Sequence, residues 1–140
     1  MKIQWLLGLA LCATMGAQAQ QSDEIVTVPA PRLTIDLPEH RYYMDDTQMR
    51  QFRGSYTLSN GQTLSLRGGG TALYGEIDNQ GTHRLVATKH NTFVALDRKL
   101  QVRIDFADDG EAGGEVLMAL PQRDLASGEI TEQVVRLATR

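Results

Sequence analysis

Cysteine is nearly missing from this chain: the single residue, Cys12, stands within the first twenty residues, beside the single tryptophan, Trp5. A domain built from the remainder can form no disulfide, no metal-thiolate site and no cysteine nucleophile, so core burial must hold it together. Basic residues gather on no segment and the formal charge is −3, which speaks against nucleic acid or an anionic membrane surface as partner. A long apolar run is lacking too. Crossing a bilayer takes about 20 apolar residues, and the run from Trp5 to Leu11 is followed by Thr14, Gln18 and Gln20.

Catalytic motifs are the next absence. Ser22, Ser55, Ser59, Ser65 and Ser127 are each followed three positions on by something other than Lys, and Ser127 has Gly128 directly after it, where a nucleophile elbow needs Gly-x-Ser-x-Gly. His40, His83 and His90 are the only histidines. A zinc site wants three or four ligands at usable spacing, and a turn separates His83 from His90, so surface histidines are the expectation. "DFADDGEAGGEV" matches a calcium loop at Asp105, Asp109 and Gly110 but fails at Ala107 and Val116, so an Asp-Gly turn is the simpler account. No cofactor is expected.

What is present begins with a leader. "MKIQWLLGLALCATMGAQAQ" has one Lys, an apolar run and small residues ending in Ala17-Gln18-Ala19, the layout of a secretory signal over residues 1–19. Leu9-Ala10-Leu11-Cys12 is only loosely similar to a lipoprotein signal, because the large Leu11 precedes the cysteine. Removing the leader takes Lys2 and no acid, moving the charge from −3 to −4. No membrane segment is then expected, and the location is periplasmic or secreted. Residues 20–44 hold three of the four prolines and read as an extended lead that either adds an edge strand or stays loose. Its "DEIVTVPAPR" faintly resembles the docking segment of TonB-dependent receptors, but this chain has no room for their 22-stranded barrel.

Residues 45–120 read as one β domain. Asp45 or Asp46 caps a short helix carrying Met49 and Phe52, which Gly54 ends. From Gly54 the period is two: Tyr56 and Leu58, then Leu64 and Leu66 across an Asn60-Gly61 turn, Leu73 and Ile77, Leu85 and Ala87, and "TFVAL". In "LQVRIDF" residues Leu100, Val102, Ile104 and Phe106 point inward and Arg103 outward. The fold class is mainly β: an antiparallel meander of about seven strands curled into a small barrel or barrel-like sheet, with a short helix before it. Over residues 121–140, Ile130, Val134 and Leu137 stand at helical spacing with Ser127 as cap, although Val134-Val135 alone suits a strand; a short helix is expected.

Phe52-x-Gly54-x-Tyr56-x-Leu58, Gly61-x-x-Leu64-x-Leu66, Leu73-Tyr74, Leu85, Phe93, Phe106 and Gly110 follow an order that resembles the small lipocalin-like β domains appended to bacterial β-lactamase-type serine hydrolases. Residues 45–120 are also similar to a group of small secreted proteins of Gram-negative bacteria whose activity is not known. In the hydrolases the catalytic serine and lysine lie in another domain, so the resemblance carries over no catalytic residue. It implies an accessory role.

The functional expectation is therefore a protein-binding or accessory module with a periplasmic protein partner, held at the polar face and edge of residues 54–78, with Thr71 and Tyr74 central. The alternatives are a small-ligand barrel with a mouth pocket lined by Tyr74, Arg84, Phe93 and Arg103, and an unrecognised hydrolase. Expressed with its leader in a Gram-negative host, the protein should appear in periplasmic extract starting at Gln20; mass spectrometry finding an acylated Cys12 at the start would contradict this.

Overall fold

The computed structural model describes residues 32–139. The leader, Cys12 and residues 20–31 of the lead lie outside them. The elements run α1 (Asp46–Arg50), β1 (Gly54–Thr57), β2 (Thr63–Arg67), β3 (Leu73–Ile77), β4 (Thr82–Lys89), β5 (Thr92–Ala95), β6 (Leu100–Phe106), β7 (Ala112–Arg123) and β8 (Ile130–Thr139). All eight strands form one antiparallel sheet in sequence order. The sheet curls as a half-barrel, and its two edge strands come together at a single bridge, Leu58 to Thr139.

Alternation decides what faces inward. Leu64, Leu66, Leu73, Ile77, Leu85, Leu100, Val102, Ile104 and Val116 are all buried in one cluster, spaced by two or, from Leu73 to Ile77, by four where a strand carries more than one. Gly75 belongs to the same inward row, and a Cβ there would lie 2.9 Å from Leu100 and 3.0 Å from Leu85. Its missing side chain is what lets leucines from β4 and β6 meet over β3. At Gly68 a Cβ would overlap the Ala72 carbonyl, so the glycine triplet serves a tight turn.

One end of the sheet is closed by α1. Asp45 is its cap: the Gln48 N–H donates to Asp45 Oδ1 at 2.8 Å, and the Asp45 N–H donates to Gln48 Oε1 at 3.1 Å, a capping box. Met49 and Phe52, buried with Met44, drop into the sheet, where Phe52 meets the edge of Phe93 at 4.9 Å. The Arg53 guanidinium donates to the Gly70 carbonyl at 2.6 Å and ties the helix to the β2–β3 turn.

The other face of the sheet is also partly covered. Ile35 in the lead segment is buried with Val94 and Leu117, and Leu33, Leu37, Ala119 and Val134 pack around them. Further on, the Tyr42 N–H donates to the Ala87 carbonyl at 2.8 Å. The described part of the lead is thus a strap across the convex face.

Two expectations are corrected. Residues 130–139 form a strand, not a helix, which brings the count to eight, and β7 passes residue 120 without a break. A spacing of four, Ile130 to Val134, fits both periods; Leu137 falls on the other face, beside Val135 and opposite Val116, where it packs on the core. Two adjacent β-branched valines and a ten-residue ladder against β7 then favour the strand. Phe106, expected inside, is 46% exposed. Alternation tells the face of a residue, not its depth along the strand, and Phe106 is the last residue of β6, with the Phe52 ring 5.5 Å away.

Fully buried Phe93 should therefore lose on the order of 3–5 kcal/mol when changed to Ala, and Phe106→Ala about half as much, as read by urea unfolding. Equal losses would refute this placement.

Candidate functional site

The helix shuts one end of the sheet, and among the described residues no helix stands at the other. There the β3–β4 and β5–β6 turns meet the overhanging β7–β8 ribbon around a cleft of about 330 Å³. Ile77, Leu100 and Met118 make its floor; Leu120 and Pro121 form a wall; Gln80, His83, Lys99 and Glu132 supply polar groups. Pro121 is tolerated because β6 begins at Leu100, which pairs with Met118, so no β6 strand partner stands where its missing N–H would point.

His83 is held by a register that a bulge creates. The β4–β5 hairpin pairs Lys89 with Thr92, then slips by one residue and pairs Ala87 with Phe93 and Leu85 with Ala95. Continued by two positions, this register sets His83 across from Asp97. Without the slip Arg84 would stand there. Gly75 on β3 is the other cross-strand neighbour of His83.

Asp97 is used on both oxygens. Oδ2 lies 2.6 Å from His83 Nδ1, and Oδ1 accepts the Lys99 N–H at 3.0 Å. Burial works against its charge, but the His83 hydrogen bond and the Lys99 N–H outweigh that and hold the carboxyl below the usual carboxylate range. An ionised carboxylate only accepts, so Nδ1 carries the proton, and the neutral tautomer that this contact selects has Nε2 as its acceptor. Arg98, between Asp97 and Lys99, has φ +60°, an uncommon conformation for a residue with a side chain. Lys99 pairs with Glu132 at the rim.

The sequence-predicted residues do not converge here. Thr71 and Arg84 line a separate cleft of about 320 Å³ with Tyr43 and Met44 of the lead segment. Tyr74 pairs with Arg84 across β3 and β4, so these three are neighbours. Arg103 is elsewhere, opposite Thr92 and paired with Asp105 at 3.1 Å. Phe93 is sealed in the core and lines no surface cleft.

Sequence reasoning treated His83 as surface and passed over Asp97. The signal was their equal separation from His90, in the β4–β5 turn, but whether that symmetry becomes a contact depends on the bulge. Among the described residues, no three of His, Cys, Asp and Glu come together in a metal-holding group, and no helix is long and apolar enough to cross a membrane. No family model, curated protein or solved structure matches the chain.

A carboxyl depressed on folding adds stability that is present above its ordinary value, 3.8, and is lost as pH falls through the lowered value. The urea midpoint of the parent should thus exceed that of Asp97→Asn most above about pH 5, and the gap should close in stronger acid. A gap independent of pH would show that the carboxylate is not held by these partners.

Proposed function

We propose that this is an exported binding module and that the cleft beside His83 receives a small ligand with an apolar body and a hydroxyl or amide end. The observation that carries the reading is the pairing of an apolar floor with one oriented imidazole: Ile77, Leu100 and Met118 line the cleft together with His83, whose Nδ1 is held by Asp97. Most pockets that take small molecules have this composition, a mostly apolar lining with a few placed polar groups. The lysine and the glutamate at the rim offset each other, which favours an uncharged ligand. The signal-like residues 1–19 support export to the periplasm. The lipocalin-like resemblance agrees with a small-ligand barrel closed at one end by α1.

Docking of a protein partner along residues 54–78 has less support, because β1 is four residues long and the glycine triplet belongs to a turn. Hydrolysis is a second reading that the His83–Asp97 pair favours, since an oriented imidazole is what a general base requires. Among the lining residues no hydroxyl or thiol nucleophile stands beside it, so the base would act on water.

Titrating hexanol into ¹⁵N-labelled protein should shift the amide signals of Gln80, His83 and Leu120 while leaving Thr71 and Arg84 unmoved, and Leu120→Trp, which fills the cleft, should suppress the shifts. Shifts centred on Thr71 and Arg84 would move the binding site to the other cleft. Ester turnover that disappears in His83→Gln would favour the hydrolytic reading instead.

A further inference from the structure

The last strand ends the sheet, and among the described residues most of its outer edge is open. β8 pairs with β7 over ten consecutive positions with no slip, and among the described residues its outer edge is engaged only at its end, where the Ser59 N–H donates to the Ala138 carbonyl at 2.8 Å and the Ala138 N–H to Ser59 Oγ at 3.1 Å. Backbone groups alternate sides along a strand. Since those of Ala138 point outward, so do those of Arg136, Val134, Glu132 and Ile130. Edge strands are usually protected by proline, bulges, shortness or repelling charge, and Ile130–Thr139 has neither proline nor bulge.

Its charges are arranged to attract a copy of itself. Glu132 and Arg136 lie two positions either side of Val134, on the same face. In an antiparallel pair centred on Val134, Glu132 stands opposite Arg136 of the second copy, and Arg136 opposite the second copy's Glu132, while the valines face each other. From Glu132 to Arg136 this register also satisfies the hydrogen bonding, because the outward-pointing residues of one strand meet those of the other and each pair exchanges both bonds; Ala138, already bonded to Ser59, stays outside the shared ladder. Within one chain Glu132 already pairs with Lys99 and Arg136 with Glu115 at 3.1 Å. Joining two copies would extend these pairs into one row of alternating sign, Lys99, Glu132, then Arg136 and Glu115 of the second copy.

We propose that the protein forms a two-fold homodimer through antiparallel pairing of β8 with β8 of a second copy, centred on Val134. Sedimentation equilibrium of the purified full chain should then show a dimer. Val134→Pro should be monomeric with an unchanged circular dichroism spectrum, since the N–H it removes points away from β7. Glu132→Arg alone, or Arg136→Glu alone, should raise the dimer Kd about tenfold, and the two together should restore it even though each disturbs an ion pair inside its own chain. A chain that is monomeric at its highest soluble concentration, a dimer indifferent to Val134→Pro, or a double variant no tighter than the single ones would each overturn the proposal.

Discussion

The edge of Phe93 against Phe52, 4.9 Å between ring centres, is where the helix grips the sheet, and the rest of the architecture depends on that grip. A curled sheet buries one face of every strand but cannot cover its own ends. Phe52 closes one of them, fixed by the Tyr56 hydroxyl, which donates to its carbonyl at 2.7 Å, and by Met44 and Met49 alongside. Burial pushes the Tyr56 phenol pKa up, so the hydroxyl stays protonated and keeps donating. Among the described residues no helix stands at the opposite end, and the buried Ile77, Leu100 and Met118 form the floor of a cleft there.

The second face shows how a small domain without a disulfide adds to its core. Val94 and Leu117 point away from the interior and would be exposed on a simple meander; the lead segment lays Ile35 over them. Burying a side chain of that kind contributes roughly 1.5–3 kcal/mol, a useful share of the roughly 5–15 kcal/mol that holds a domain folded. The strap has no strand partner along Arg32–Leu37, so side-chain contact, not a ladder, keeps it there.

Electrostatics concentrates at the two ends rather than in the core. At the plugged end Asp46 sits between Arg50 and Arg53, and hydrogen bonds from both guanidinium groups lower its pKa. At the open end Asp97 bridges His83 and the turn at Lys99. The first arrangement is local, made within one turn of helix and the loop after it. The second joins the ends of β4 and β5, and its His83 lines the cleft with the apolar floor.

The sequence by itself determined what period and turn chemistry can determine. Alternating leucines, Asn60-Gly61 and the Asp45 cap specify a helix followed by a mainly β meander, because those signals act between residues close in the chain. Three things were decided only in the folded molecule. Phe106 lies on the expected face yet near the sheet's end, and depth depends on which neighbours the curl brings over it. Residues 130–139 carry spacings compatible with two periods, and the long β7 beside them resolves the choice. The meeting of His83 with Asp97 depends on a one-residue slip between β4 and β5, and a slip that moves every cross-strand pair by one position leaves the sequence pattern on each strand unchanged.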